Sequence, residues 1–315
     1  AMQQPFVHAS VFEIGIDVAP GADADAVAAR AEALVADLIA NGPTADEVQR
    51  VATKAASGQI AALEMVGGDG GKAATLAEGY LFSGDPEAYK RSLNDMAAMT
   101  PARVQAAMAK WLSRPVTEIR VNPGKRASQG APETAMLTKP AGPNAYSGDP
   151  AAADVASTAA PVDPMTVMPA PGPVPPLDLP PVETATLANG VTLHFARRDA
   201  VPMVQLAARF DAGYAADPAG RPGIAAMVGA MMDEGTARYD SIALAEQQER
   251  LGAAIGVNSG LDHTTVTAQT PAANLAATLA LMVDVIRTPA FAAETLERVR
   301  AQQLNTIAAE KGDPN

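Results

Sequence analysis

Apolar residues recur with two different periods along the first part of the chain, and this change predicts one strand followed by several helices. Alternation over residues 14–18 predicts a strand in the opening segment, which starts at about residue 6. From Asp23 onward the apolar spacing becomes helical. The predicted helices cover residues 23–39, 44–65, 72–82, 87–98 and 101–112. A second strand is predicted at 116–121, directly after the last of these helices.

The last 135 residues show a different order of elements. A hairpin is predicted over residues 183–197, because Asn189-Gly190 suits the positive φ angles of a tight turn. The elements expected after it are a strand at 203–210, a helix within 221–236, a helix at 241–251, strands at 253–258 and 264–269, and helices at 271–287 and from 293 onward.

Between these two regions, residues 126–180 lack a periodic apolar pattern. They hold 12 of the 26 prolines and are rich in Ala, Ser and Gly. Such a segment buries too little apolar surface to offset the entropy of ordering it. We therefore expect an extended linker. The alternative, a proline-rich ligand for a binding module, would need basic flanking residues around its PxxP motif.

Composition narrows the classes of function. The net charge is 23 − 35 = −12, which disfavours nucleic acid and anionic membrane surfaces as partners. No uninterrupted apolar run is long enough to predict a membrane span. Cysteine is absent, so disulfides, thiolate nucleophiles and Cys-ligated zinc are excluded. The N-terminal sequence lacks the basic and apolar regions of a signal peptide. Both ends of the chain fall within patterned segments, which suggests a fragment of a longer protein.

Several motifs after the linker resemble the pitrilysin-like, insulinase-type zinc metallopeptidases of family M16. Residues 187–193 (Leu-Ala-Asn-Gly-Val-Thr-Leu) resemble the hairpin that opens a repeat of this family. Residues 210–213 (Phe-Asp-Ala-Gly) resemble the end of its next strand. Residues 222–225 (Pro-Gly-Ile-Ala) and 231–236 (Met-Met-Asp-Glu-Gly-Thr) resemble the two flanks of its catalytic helix.

The region before the linker resembles the other half of such a repeat. Its matching motifs are Val-Ala-Pro-Gly at 18–21, Gly-Pro-Thr-x-x-Glu-Val at 42–48, and Thr-Pro-Ala-Arg-Val at 100–104. The resemblance implies three parts: residues 1–125 as the C-terminal half of a first repeat, 126–180 as a linker, and 181–315 as the N-terminal half of a second. The implied fold is α+β, with antiparallel sheets that carry helices on one face.

An active repeat of this family carries His-x-x-Glu-His on its helix. Its two histidines bind zinc and its glutamate acts as general base. Aligned on the flanking motifs, the five positions are residues 226–230, Ala-Met-Val-Gly-Ala. The family's third ligand is a glutamate on a later helix, where residues 301–307 read Ala-Gln-Gln-Leu-Asn-Thr-Ile. The resemblance therefore implies no catalytic, cofactor-binding or metal-binding residue in this chain.

Other candidate sites have simpler structural interpretations. A face formed by Ile224, Met227, Val228, Met231 and Met232 is expected to be core rather than a soft-metal site. Asp233 and Glu234 point to different sides of a helix and are expected to form a solvated helix end.

The three histidines and one glycine-rich segment are likewise weak site candidates. His8, His194 and His263 lack ligand spacing and are expected to be ordinary strand residues, although His263 after Asp262 could be an oriented base. The glycine-rich residues 67–71 are expected to be an interhelical loop, because they lack the Gly-Lys-Ser/Thr ending of a phosphate loop.

The resemblance implies a part of a zinc metallopeptidase that is itself non-catalytic. In the family, a catalytic repeat and a degenerate repeat close around an unfolded peptide, which adds a strand to a sheet edge. Zinc would belong to an upstream half outside this chain, and the partner would be a peptide or unfolded polypeptide. The two half-repeats are expected to pack against each other or to self-associate. The alternatives are an assembly subunit without catalysis and a free-standing peptide-binding protein. A periplasmic location is favoured by the export of many two-repeat bacterial relatives.

Overall fold

A computed structural model describes residues 1–6, 9–19, 21–121, 172 and 179–312. The described residues form helices and antiparallel strands, so the predicted α+β class is confirmed. The predicted linker at 126–180 falls almost entirely outside the described residues and stays a prediction. Within the described ranges, no helix combines the length and apolar character that crossing a membrane requires.

The elements before the linker are β1 (Met2–Pro5), β2 (Ser10–Glu13), α1 (Ala24–Asn41), α2 (Ala45–Ala62), α3 (Lys72–Ser83), α4 (Ala88–Ala97) and α5 (Pro101–Trp111). The elements after it are β3 (Val182–Thr186), β4 (Thr192–Ala196), β5 (Met203–Phe210), α6 (Ile224–Met232), α7 (Ser241–Leu251), β6 (Ala254–Ser259), β7 (Thr264–Pro271), α8 (Leu275–Arg287) and α9 (Ala293–Gly312). Residues 1–115 and 197–315 form one compact unit, and residues 116–196 form another.

Side-chain caps set the starts of the first helices. Thr44 Oγ1 accepts from the Glu47 backbone N–H at 3.2 Å, and the Glu47 carboxylate accepts from the Thr44 backbone N–H at 2.7 Å. This capping box confirms the predicted start of α2. Thr100 caps α5, which has Pro101 in its first turn. Asp23 caps α1 by accepting from two backbone N–H groups.

The strand predicted in the opening segment is present but shorter than expected, and the strand predicted at 116–121 is wrong. Strand β2 covers Ser10–Glu13, residues 14–18 lie beyond its end, and the strand that pairs with it, β1, was not predicted. Residues 116–121 are not in a strand, and their apolar side chains Val116, Ile119 and Val121 are exposed. Within the described residues no strand pairs with 14–18 or with 116–121, and a strand forms only when its backbone groups are paired.

The main sheet of the first unit has the antiparallel order β5-β7-β6. One face packs against α6, α7 and α8. The core residues that they share are Met232, Leu244, Ile255, Val266, Ala268, Leu281, Met282 and Val285. The other face carries exposed small and polar residues. This sheet with helices on one face confirms the predicted architecture for the second segment.

The smaller unit contains the hairpin of β3 and β4. Its register pairs Val182 with Ala196 and Thr186 with Thr192, and the turn holds Asn189 and Gly190. Gly190 has a φ angle of 85°, and Asn189 Oδ1 accepts from the Val191 backbone N–H at 3.2 Å. The predicted Asn-Gly turn is confirmed.

Burial is uneven between the two segments of the first unit. Helices α1, α3, α4 and α5 contain no buried residue, and α2 buries only Val48 and Ser57. The core cluster belongs entirely to the second segment. The first segment therefore exposes apolar side chains that a complete domain would bury, among them Phe12, Leu34, Leu38 and Phe82.

Candidate functional site

Helix α6 is positioned by a carboxylate that lies outside it. Asp217 accepts from the backbone N–H groups of Gly223 at 2.6 Å and Ala225 at 2.9 Å. Gly223 has a φ angle of 98°, in the left-handed region that favours glycine. A carboxylate at a helix N-terminus satisfies unpaired donors and complements the helix dipole. The sequence predicted a helix within 221–236. It did not predict that Asp217 caps this helix, because Asp217 lies several residues before the first turn.

The five motif positions of α6 carry no atom that holds zinc. They are Ala226, Met227, Val228, Gly229 and Ala230. Zinc in proteins takes thiolate, imidazole or carboxylate ligands, and the thioether of Met227 is the only heteroatom among these side chains. Among the described residues, no group of three or more His, Asp or Glu side chains could hold a metal ion. The residues present at this place therefore do not fit a zinc ion.

Gly229, which the sequence resemblance aligns with the family's catalytic glutamate, packs against strand β6. A Cβ atom at residue 229 would lie 2.6 Å from Ser259 Oγ. Ser259 Oγ donates to the Ala225 carbonyl at 2.9 Å and lies 2.9 Å from Thr264 Oγ1. Thr264 Oγ1 in turn donates to the Ala212 carbonyl at 2.6 Å. The space that a side chain at residue 229 would need is therefore filled by a hydrogen-bonded serine.

The apolar face of α6 is only partly core. Met231 and Met232 are buried, and Met232 joins the core cluster, as predicted. Ile224 and Val228 are instead exposed, because the contact of α6 with β6 runs along the side that carries Gly229. The prediction of a single core face across all five residues is wrong for these two.

The acidic pair at the end of α6 is not simply solvated, which corrects the prediction. Glu234 forms an ion pair with Arg298 of α9. Asp233 is half-buried, and this burial, with a smaller effect of the neighbouring Glu234 charge, raises the pKa of its carboxyl group. Asp233 also ends a helix, where the dipole disfavours a negative charge.

Helix α9 holds residues 301–307, the stretch that the sequence resemblance aligns with the family's third ligand. The Arg298–Glu234 pair and the buried Val299 join α9 to the rest of the first unit. Its glutamate Glu297 lies 2.7 Å from Arg300 and is thus engaged in an ion pair on its own helix. The side chains at 301–307 are exposed and include no carboxylate.

The histidines have local partners. His263 Nδ1 lies 3.1 Å from Asp211 Oδ1, although without the alignment of a hydrogen bond, and Asp211 is almost fully exposed. The partner is thus Asp211 rather than the adjacent Asp262 that the sequence suggested. His194 Nδ1 lies 3.1 Å from Thr184 Oγ1 across the hairpin. His8 falls outside the described residues.

The solvent-exposed face of the β5-β7-β6 sheet forms an open, shallow depression. The residues of this face that line it are small or uncharged and polar: Gln205, Ala207, Ala254, Gly256, Thr267 and Gln269. In the register of the sheet, Gln205 is opposite Gln269, and Ala207 is opposite Thr267. This surface presents amide and hydroxyl groups without a charge at its centre.

Comparison with known protein families identifies residues 196–314, called the M16 segment below. Residues 196–314 match the family model of insulinase, peptidase family M16. This segment belongs to peptidase family M16. The M16 segment includes α6 and the whole β5-β7-β6 sheet. The resemblance of residues 1–125 to a half-repeat lies outside the matched residues and stays a prediction.

Two solved structures are similar to the chain. The inactive domain of an M16 peptidase from Pseudomonas fluorescens is 32% identical, with 42% of this chain and 32% of that chain covered, at a TM-score of 0.40. A protease from Helicobacter pylori is 20% identical, with coverages of 40% and 31%, at a TM-score of 0.36. The chain spans about a third of the length of these two structures. No curated protein matches it.

Proposed function

We propose that this chain is a non-catalytic part of an M16-type zinc metallopeptidase, and that its M16 segment forms a wall around an unfolded peptide substrate. The proposal rests on the side chains of α6 and on the packing around them. At the motif positions the helix offers no zinc ligand and no general base, and Ser259 occupies the space at Gly229. A helix packed in this way serves the fold rather than peptide hydrolysis.

The exposed sheet face supports contact with an unfolded chain. An extended peptide presents backbone N–H and C=O groups along its length, and Gln205, Gln269 and Thr267 offer complementary amides and a hydroxyl. In the described part of the chain, β5 and β6 each pair with β7 alone. Their outer backbone groups are therefore open to an added strand, the mode in which sheet edges bind peptides without strong sequence preference.

The first segment supports incorporation into a larger structure. Its helices expose apolar residues, including Leu34, Leu38 and Tyr80, that no described part of this unit covers. Exposed apolar surfaces of this kind mark contacts with other protein surfaces. We assign them to the remaining parts of the repeats. The zinc ion, which would supply activated water for hydrolysis, is proposed to lie in a part of the protein outside this chain.

The test combines metal content, hydrolysis and peptide binding on the same preparation. The chain is incubated with excess zinc, dialysed, and analysed for bound metal, and an unfolded, fluorescently labelled peptide is then added. We expect no stoichiometric zinc and no hydrolysis, but a measurable change in peptide anisotropy. Tight binding of one zinc ion per chain, or cleavage that a chelator abolishes, would overturn the proposal.

A pair of variants locates the peptide. Ala207→Glu places a charged side chain at the centre of the exposed sheet face, and Ala301→Glu places the same side chain on the exposed surface of α9. Ala207→Glu should weaken peptide binding by about tenfold, because a carboxylate cannot be desolvated without a partner. Ala301→Glu should leave binding unchanged. If both variants weaken binding equally, the peptide does not bind at the sheet face.

A further inference from the structure

The two segments that flank the linker region meet through helices α2 and α7. Both helices belong to the same compact unit, and their contact joins residues about 200 positions apart in the chain. Outside this contact the helices of the first segment bury no residue of their own. The α2–α7 contact is therefore a major attachment of the first segment to the M16 segment.

Arg50 lies at the centre of this contact. Its side chain is only 14% exposed, and its guanidinium group faces three carboxylates. It lies 2.6 Å from Glu249 and 3.5 Å from Glu246, both on α7, and 2.9 Å from Asp46 on its own helix. A guanidinium group suits this arrangement, because it presents several donors in one plane.

A second arginine completes the network from the opposite helix. Arg250 of α7 donates two hydrogen bonds to Asp46 of α2, at 2.9 Å and 2.8 Å. Hydrogen bonds from Arg250 and Arg50 lower the pKa of Asp46, so its carboxylate stays ionised near neutral pH. Lys54 adds a contact of 3.3 Å to Glu249. Each helix thus supplies both signs of charge, which fixes the register of the contact.

Close approach of the two backbones is possible because α7 ends in glycine. Gly252 caps α7 with a φ angle of 57°, and a Cβ atom there would lie 2.1 Å from Ser57 Oγ and 3.1 Å from Thr53 Cγ2. Ser57 and Val48 are the two buried residues of α2. The contact therefore combines a tight steric fit at one end with ion pairs along the rest.

We propose that α2 and α7 form an ionic clasp, a salt-sensitive joint through which residues 1–115 are attached to the M16 segment by Arg50, Arg250 and their carboxylate partners. Val48 is the single apolar residue that α2 buries, and ion pairs that are partly exposed are screened by salt. The joint consequently closes at low ionic strength and opens at high ionic strength, while the core of the M16 segment persists.

The experiment uses the full chain with a specific protease site inserted at residues 140–145, between the two segments. After cleavage, the two pieces stay non-covalently associated or separate, and size-exclusion chromatography measures which. We expect coelution at about 50 mM NaCl and separation at about 500 mM NaCl. Far-UV circular dichroism at both salt concentrations should be unchanged, because the core cluster of the M16 segment consists of buried apolar side chains, whose packing salt does not screen.

Charge and steric variants test the clasp at fixed salt. Arg50→Glu should weaken association of the cleaved pieces by about tenfold or more, since it places a carboxylate among three others. Glu249→Arg added to Arg50→Glu should recover part of the loss. Ser57→Leu should separate the pieces by blocking the approach of Gly252, whereas Ser57→Ala should not.

Arg91→Glu serves as the matched charge reversal, because Arg91 pairs with Asp85 away from α7. It should leave the association unchanged. The proposal is overturned if the cleaved pieces coelute equally at both salt concentrations and in Arg50→Glu, or if they separate even at low salt. An Arg91→Glu effect as large as that of Arg50→Glu would also overturn it.

Discussion

Adding one methyl group at Gly229 tests whether α6 is a helix committed to packing. Glycine in the interior of a helix is ordinarily less favourable than alanine by about 1 kcal/mol, so Gly229→Ala should stabilise an unobstructed helix. Here the new Cβ would lie 2.6 Å from Ser259 Oγ. The serine must therefore rotate away and give up its hydrogen bond to the Ala225 carbonyl and its contact with Thr264.

The magnitude follows from these contacts. Losing the hydrogen bond to the Ala225 carbonyl costs about 1 kcal/mol, and the crowding around the displaced serine adds about 2 kcal/mol. Against the gain in helix propensity, Gly229→Ala should lower the free energy of unfolding by about 2 kcal/mol. In a Ser259→Ala background the obstructing oxygen is absent, and the nearest remaining contacts are 3.6 Å and 3.7 Å. There the same change should raise the free energy of unfolding by up to about 1 kcal/mol.

Urea unfolding of the four chains of this cycle, followed by circular dichroism, gives the coupling energy directly. Gly58→Ala in α2 is the matched control, since a Cβ there meets nothing within 4 Å and should show the propensity gain alone. The reasoning is refuted if Gly229→Ala stabilises the parent chain, or if its effect is the same with and without the Ser259 hydroxyl.

Three further predictions concern stability. Thr270→Val should lower the free energy of unfolding by about 1 to 3 kcal/mol, because it leaves the buried Thr278 hydroxyl without its 2.8 Å partner. Adding Thr278→Val should recover part of this loss. If the losses of the two single variants simply add in thermal unfolding, the proposed pairing of the two hydroxyls is contradicted. Asp233→Asn should stabilise the chain near pH 7. The raised pKa of Asp233 means that its charged form is disfavoured in the folded state above that pKa, and this penalty disappears as pH falls towards the unfolded value of about 3.9. A gain in melting temperature that does not shrink on acidification would refute this. Thr44→Ala should lower the stability of α2 by about 1 kcal/mol through loss of its capping box, with Thr44→Ser close to the parent; hydrogen exchange of the α2 amides that is unchanged by Thr44→Ala would contradict the role of the cap.

Local signals in the sequence predicted the elements well where each signal is complete within a few residues. The capping box of Thr44 and Glu47 and the Asn189-Gly190 turn depend on neighbours in the chain, and both are confirmed. The strand predicted at 116–121 failed because a strand also needs a distant partner, which its own sequence cannot reveal.

In the candidate site, too, local features could be predicted from the sequence and contacts between distant residues could not. The absence of His and Glu from residues 226–230 can be read directly from the sequence. The filling of that space by Ser259 could not be predicted, because it depends on a contact between residues 30 positions apart in separate elements. Arg50 and Glu249, 199 positions apart, carry no sequence signal that links them.

These contacts bear on the proposal that the M16 segment is not catalytic. If α6 had lost its ligands but kept the surrounding space, a few substitutions would restore the motif. A glutamate at residue 229 would instead meet Ser259, whose hydroxyl is bonded to the Ala225 carbonyl of the same helix. Restoring the general base therefore requires a change in β6 as well, and restoring the metal requires ligands on α6 and on α9. The packing of α6 against β6 thus leaves no room for a side chain at residue 229 while Ser259 keeps its position.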